Sequence, residues 1–172
     1  MELTEVLQSR KSIRSFTGEP IPRTVLEKLI FAANASPVGL AKYETLHLTV
    51  VKDKALLEEL ERNTAAAFHA PDRSFLYGAP ELIVVSTTQT DNVGYSNAAI
   101  VAHDMSLAAV DAGVGVCHIW GCVMALAQSP ALTAKLGIPA GFTPACAVAV
   151  GMTTQPYAPR QIPTDRIGIN EI

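Results

Sequence analysis

Apolar residues recur at every third or fourth position in five segments of this chain, the spacing that gives an α-helix one hydrophobic face. A proline lies at the start of two of these segments, and a glycine directly follows two of the five, as is typical of helix boundaries. The pattern predicts helices over residues 2–9, from Pro22 to a break near Ser36, from Asp53 through Leu60, from about Val93 to Ala112, and from Ser129 to Leu136.

Four shorter apolar runs between these helices predict β-strands. They are Leu46–Val51, Leu82–Val85, Val116–Trp120 and Ala145–Val150. The four consecutive apolar residues of the second run indicate a strand that is buried on both faces. The alternation of helices and strands predicts an α+β fold of mixed α/β layers, in which a central mixed sheet is covered by helices.

Residues 152–172 follow the last predicted strand and contain three prolines and no periodicity. Such a segment is either disordered or wrapped on a surface. The chain has 172 residues, no internal repeat and no low-complexity linker. We therefore expect a single domain over residues 1–172, with 152–172 as an extended C-terminal tail.

The longest predicted helix, from Val93 to Ala112, is apolar on nearly every side, and such a helix must be buried. We place it in the core or at a dimer seam. The chain is 49% hydrophobic and only 17% charged, against a usual charged share of about 25%. We therefore expect an obligate homodimer that buries a large apolar interface.

The charge distribution argues against two classes of partner. The net charge is −3 and there is no long basic stripe, so we expect no nucleic acid partner. No run approaches the roughly 18 apolar residues of a membrane span, and Met1-Glu2-Leu3 does not begin a basic leader. We expect a cytoplasmic protein without a membrane partner.

Within this acidic chain, the short segment of residues 10–14 concentrates positive charge. It can be a solvated cluster that complements a helix C-terminus, which is the commoner case for such a stretch taken alone. It can also be an anion clamp, because guanidinium groups donate paired N–H bonds to phosphate oxygens. Ile13 and Phe16 interleave apolar anchors with the cations, which favours the clamp and a phosphorylated cofactor. The polar members are Arg10, Lys11, Ser12 and Arg14.

The three cysteines lie in apolar surroundings and predict reduced, buried thiols. Cys117, His118 and Cys122 could suggest metal ligands. No second pair supplies a fourth ligand at a standard spacing, so we expect no metal site. No histidine has a sequence partner that would make it a catalytic base.

The order of features along nearly the whole chain resembles the nitroreductase family of flavoproteins. No single motif decides the resemblance, which rests on the shared order and spacing. The features are Arg10-x-Ser12-x-Arg14 after a first helix, Ala35-Ser36-Pro37-Val38-Gly39, Ala112-Gly113-Val114-Gly115, Ile119-Trp120-Gly121, Leu136-Gly137-Ile138-Pro139, and Ala149-Val150-Gly151 before a proline-rich tail that contains Arg160.

The resemblance implies non-covalent FMN, bound in two sites at the interface of an intertwined homodimer. It also implies electron transfer from NAD(P)H to a nitroaromatic, quinone or similar acceptor in alternating steps. Arg10 and Ser12, with Lys11 beside them, would bind the phosphate and ribityl chain. Arg14 would lie near the pyrimidine N1 and O2, and Arg160 would be a second phosphate ligand from the tail.

Two further segments would meet the flavin ring. Pro37, Val38 and Gly39 would approach it through their backbone, since glycine permits close contact. Around Ile119, Trp120 and Gly121, a backbone N–H would point at flavin N5. A buried core position is an equally good interpretation of Trp120. Tyr43 and Tyr95 are weaker candidates for lining the pocket, with a surface or core role as the alternative.

The chain departs from the family where many relatives carry Asn-x-Gln-Pro-Trp, since residues 40–46 read Leu-Ala-Lys-Tyr-Glu-Thr-Leu. The usual contacts from that segment to the pyrimidine are therefore not expected here. The chain is also short for the family, which implies a more open pocket. Two other functions stay open: a flavin-binding protein without turnover, and a site for another phosphorylated metabolite.

Overall fold

The structure is a computed structural model that describes residues 1–172. The chain forms six α-helices and four β-strands, with two single turns of 3-10 helix at Gly39–Ala41 and Tyr43–Thr45. The helices are α1 (Leu3–Ser9), α2 (Arg23–Ala35), α3 (Lys54–Ala67), α4 (Asn92–Asp111), α5 (Gly121–Ala127) and α6 (Pro130–Lys135). The strands are β1 (Leu46–Val51), β2 (Glu81–Thr87), β3 (Gly115–His118) and β4 (Thr143–Gly151).

The four strands form one sheet in the order β1-β2-β4-β3, and every neighbouring pair is antiparallel. The predicted α+β class is confirmed, but the sheet is antiparallel throughout rather than mixed. The reason lies in the connection from β1 to β2. Helix α3 and the loop after it return the chain to the end of the sheet where β1 finishes. Strand β2 therefore starts there, with Leu82 paired with Val51, and runs in the opposite direction to β1.

The central strand β2 is buried along its whole length, as its apolar run predicts. Its alternate side chains enter two separate cores, as the period of two in a strand requires. Ile83 and Val85 pack with α2 and α4, while Leu82 and Val84 pack with α3, α5 and α6. The sheet is therefore covered by helices on both faces.

Helix α4 lies in the first core, where Ala102 and Met105 are fully buried. The prediction of a buried helix is thus confirmed for most of its surface. Tyr95 and Ile100 are nevertheless exposed on the same helix. None of the helices combines the length and the hydrophobicity that a membrane crossing requires.

The predicted strand Val116–Trp120 is wrong at its end, because β3 stops at His118. Trp120 already has helical backbone angles and precedes α5, a helix that the sequence pattern did not predict. Helix α5 has only seven residues, is apolar on most sides and has no side-chain N-cap, so it lacks the periodicity and the start signal of a helix.

The tail contains no helix or strand after Gly151. Its first part is wrapped on the surface, the second of the two predicted alternatives. The hydroxyl of Thr153 donates to the Ser15 carbonyl at 2.9 Å, and that of Tyr157 donates to the Val114 carbonyl at 3.0 Å. Residues 161–172 are exposed.

Candidate functional site

Residues 10–16 lie along β3, the strand at one edge of the sheet. The Ile13 N–H donates to the Val116 carbonyl at 2.9 Å, and the Ile13 side chain is fully buried. A Cβ atom at position 115 would lie 2.9 Å from the Phe16 ring and 3.1 Å from Ile13, so this close approach needs Gly115. The basic segment therefore has a fixed support, while Arg14 on its outer side is exposed.

The C-terminal tail brings a further cation to the same place. The Arg160 Nε donates to the Gln8 carbonyl at 3.1 Å, and its guanidinium also donates to the Arg10 carbonyl. The Arg14 guanidinium lies 5.9 Å from the centre of the Tyr77 ring. Residues from both ends of the chain thus meet beside the last residues of α1.

The positive charge in this cluster is not neutralised by the protein. Five ion pairs lie within 4 Å in the structure, and their cations are the N-terminus, Arg23, Lys52, Lys54 and Lys135. None of the cluster residues Arg10, Lys11, Arg14 and Arg160 is among them. Four cations without a carboxylate partner give a local positive potential in an otherwise acidic protein, which is the electrostatic condition for binding an anion.

His118 closes the inner side of this cluster, at the end of β3. The Ser106 hydroxyl on α4 donates to the Ala102 carbonyl at 2.9 Å and lies 2.8 Å from His118 Nε2. Burial lowers the pKa of His118 below its ordinary value, and the nearby charges of His103 and Arg10 lower it further. His118 is therefore a neutral imidazole at neutral pH.

Two other titratable groups lie beside the cluster. Burial raises the pKa of the Cys117 thiol, although the Arg14 charge and a hydrogen bond with Ser12 oppose this shift. Burial raises the pKa of Tyr157 to about 12. Both groups stay protonated at neutral pH, so neither is an activated nucleophile or a base.

Ile119, Trp120 and Gly121 follow His118 and lead into α5. Ile119 is buried, whereas 63% of Trp120 is exposed. The interpretation of Trp120 as a buried core aromatic is therefore wrong. A Cβ atom at Gly121 would lie 2.8 Å from the Phe75 ring, so the chain packs closely where it turns into the helix.

The loop Pro37-Val38-Gly39 lies after α2, on another part of the molecule. The Gly39 N–H donates to Asn97 Oδ1 at 3.1 Å, and Val38 is buried. Asn97 is itself buried, and its amide nitrogen Nδ2 has no hydrogen-bond partner. The loop thus presents exposed backbone beside an unsatisfied buried donor.

The structure does not bring this loop to the basic cluster within one chain. Both parts contact α4, the loop at Asn97 and His118 at Ser106. These positions are nine residues apart, which is about 13 Å along the helix. Tyr43 stays with the loop, since its hydroxyl donates to the Ser36 carbonyl at 3.1 Å, and Tyr95 is exposed near Asn97 on α4.

Sequence reasoning missed two polar residues that belong to these surroundings, Asn97 and His118. Asn97 directly precedes the apolar run of α4 that begins at Ala98, and this position is a signal that could have drawn attention to it. The sequence around His118 suggests only a metal ligand, because the contact of His118 with Ser106 depends on the packing of α4 against β3.

The structure thus combines an antiparallel sheet between two helical layers with an unpaired basic cluster at one edge. The chain belongs to the nitroreductase family, whose sequence model matches residues 7–152. It is 25% identical over 130 residues to a CR(VI) reductase of Pseudomonas sp. (strain G-1), a match that covers 68% of this chain. The chain spans 62% and 54% of the lengths of two curated relatives that it matches.

Two solved structures share the fold over almost the whole chain. A nitroreductase with bound FMN from Desulfitobacterium hafniense DCB-2 has a TM-score of 0.87 at 25% identity and covers 99% of this chain and 100% of its own. A nitroreductase with bound FMN from Bacteroides fragilis NCTC 9343 has a TM-score of 0.86 at 26% identity, with the same coverage. The resemblance to the nitroreductase family and the predicted fold class are confirmed.

Proposed function

We propose that the protein is an FMN-dependent oxidoreductase that transfers electrons from NAD(P)H to a nitroaromatic, quinone or similar acceptor. The observation that carries the proposal is the basic cluster formed by both ends of the chain. Arg10, Lys11, Arg14 and Arg160 have no carboxylate partner. FMN bound to the two similar solved structures supports the same cofactor here.

The donor set fits the FMN phosphate. A phosphate carries close to two negative charges and three strong acceptor oxygens at neutral pH, and guanidinium groups match that geometry. Arg10 and Arg160 would hold the phosphate, with Ser12 and Lys11 beside them. The role for Arg160 also gives a reason for the tail to fold back onto α1, within a single FMN-binding domain over residues 1–172.

The separation of the two site segments supports a homodimer. Pro37, Val38 and Gly39 lie about 13 Å along α4 from the basic cluster, so a second copy of the chain would supply them. The unsatisfied Asn97 Nδ2 lies beside this loop and would find an acceptor there. Three packed helices also leave large apolar side chains exposed for an interface: Leu3, Leu7, Phe31, Tyr95 and Ile100.

Bound FMN would supply the hydride chemistry, through its N5 atom, between the nicotinamide and the acceptor in a ping-pong sequence. The protein residues would bind, orient and adjust the cofactor. Arg14 would place a positive charge near the pyrimidine, where it favours electron uptake. Trp120 would meet the ring or the substrate, since its exposed indole lies beside the expected N5 contact. No side chain of the site acts as a general acid or base in this scheme.

The visible absorption spectrum of the purified protein tests this proposal. We expect the yellow flavin spectrum, bleaching by NADH or NADPH under nitrogen, and recovery of the colour when a quinone is added. Free FMN at the same concentration is the control for direct chemistry. A yellow protein that no nicotinamide bleaches would point instead to a flavin-binding protein without turnover. A colourless protein that does not take up added FMN would overturn the proposal.

The three cysteines are free and buried. They support the further proposal of a reducing, cytoplasmic location.

A further inference from the structure

His118 lies between the core and the basic cluster. It is the last residue of β3, and residues 10–16 run along the free edge of that strand in the opposite direction. The hydrogen bond from Ile13 to Val116 and the contact of Ser12 with Cys117 fix this course. Arg10 lies further along this edge towards His118, and its charge acts on the imidazole. Both residues are partly buried.

The hydrogen bonds of Ser106 determine which nitrogen of His118 carries the proton. A hydroxyl has one hydrogen, and the Ser106 hydroxyl donates it to the Ala102 carbonyl. In this arrangement Ser106 accepts from His118 Nε2, which lies 2.8 Å away, and we assign the tautomer of His118 accordingly. Nε2 therefore keeps its hydrogen in both charge states, and Nδ1 is the atom that gains or loses a proton.

The two groups whose charges act on His118 both disfavour a second proton when no anion is bound to the cluster. Arg10 approaches from the end of α1 and His103 from α4, with ring centres 6.3 Å apart for the two histidines. Cys117 and Tyr157 are neutral, and β4 presents Val148 at the paired position. A phosphate bound at Arg10 would reverse this balance, because it adds more negative charge than the cation carries.

We propose that His118 is a positioning residue of the phosphate site, which takes up a proton from solvent at Nδ1 when the FMN phosphate binds at Arg10. The charged imidazolium then joins the arginines in holding the anion, while its Nε2–H stays bonded to Ser106. This proposal rests on the proposed FMN function. FMN binding is then coupled to proton uptake, and the phosphate rather than the flavin ring causes this uptake.

Isothermal titration calorimetry of the FMN-free protein at pH 7 tests the proposal. Titrations in buffers of different ionisation enthalpy give the number of protons taken up for each ligand bound. We expect uptake of several tenths of a proton per FMN in the wild type. Riboflavin lacks the phosphate and should bind without this uptake.

Three variants distinguish the contribution of His118 to proton uptake from that of His47 and His103. His118→Gln keeps an N–H donor for Ser106 but cannot titrate, so the proton uptake should disappear while FMN still binds, more weakly. His47→Gln is the matched control, because β1 lies at the opposite edge of the sheet. It should behave as the wild type. His103→Gln should retain uptake.

The outcomes distinguish this proposal from the function on which it rests. Equal proton uptake in wild type and His118→Gln, or loss of uptake only in His103→Gln, would overturn the role of His118. FMN binding without any uptake would do the same and would leave the proposed function intact. Absence of FMN binding would overturn both.

Discussion

Truncation of Ile13 should loosen the basic cluster from its support. Ile13 is fully buried between Ser12 and Arg14, and its side chain packs over Gly115 on β3. Ile13→Ala removes three buried carbon atoms and should destabilise the fold by about 2–5 kcal/mol, whereas Ile13→Val should cost about 0.5–1.5 kcal/mol. For a chain of this length, each 1 kcal/mol corresponds to roughly 2–4 °C in Tm. The expected fall for Ile13→Ala is therefore about 4–20 °C.

The same substitution should weaken FMN binding. Two arginine side chains that the native segment pre-orients would have to be ordered on binding, at about 0.5–1.5 kcal/mol each. The expected loss of about 1–3 kcal/mol corresponds to a 5–150-fold rise in Kd. Leu60→Ala is the matched control, because Leu60 is fully buried in the other core on α3. It should lower Tm comparably and leave the Kd for FMN nearly unchanged.

Thermal unfolding followed by circular dichroism and fluorescence titration with FMN measure the two effects at a temperature where each variant is folded. A wild-type Tm for Ile13→Ala would show that the side chain does not anchor the segment. Equal loss of FMN affinity in Ile13→Ala and Leu60→Ala would show that the affinity follows global stability rather than the local support.

Three further predictions follow from individual contacts. Arg14→Ala should weaken FMN binding by about 1.5–3 kcal/mol in the same titration, because a charge-assisted bond is lost. Arg23→Ala is the control and should leave FMN binding unchanged. Unchanged affinity in Arg14→Ala would refute the role of Arg14. Lys52 is about half exposed and pairs at 2.9 Å with the fully buried Glu81, so Lys52→Ala should destabilise by about 1–3 kcal/mol in urea unfolding, because it leaves a buried carboxylate without its partner. Lys54→Ala, at an exposed site, should stay within about 0.5 kcal/mol, and similar values for both would contradict this account. Burial raises the pKa of all three cysteine thiols, so a disulfide reagent at pH 8 should label them only after unfolding; rapid labelling of the native protein would contradict their burial.

Long periodic segments were predicted well from the sequence, since their structure follows from burial of one continuous face. Helix α4 and the buried strand β2 are examples. Helix α5 was missed because a seven-residue helix shows less than two full periods. The direction of the strands was predicted only as mixed, because the return of the loop after α3 to the end of β1 depends on tertiary packing.

The candidate site also contains residues that the sequence predicts and residues that it does not. The charged residues near positions 10–14 are contiguous in sequence, and their apolar neighbour Ile13 marks the segment as supported. The contribution of Arg160 came only from the family resemblance, since no local pattern relates a tail residue to α1. His118 and Asn97 acquire their surroundings from contacts across α4, and the sequence around them carries no sign of these partners.

The central claim is that cations from both ends of the chain hold the phosphate of FMN. Trp120 is the only tryptophan, so its fluorescence can report binding of FMN and of riboflavin to the wild type and to Arg160→Gln. We predict saturable quenching, with FMN bound much more tightly than riboflavin by the wild type. We also predict that Arg160→Gln raises the Kd for FMN about 10-fold or more and leaves that for riboflavin unchanged. Equal affinity of the wild type for the two flavins, or no binding of either, would contradict the claim.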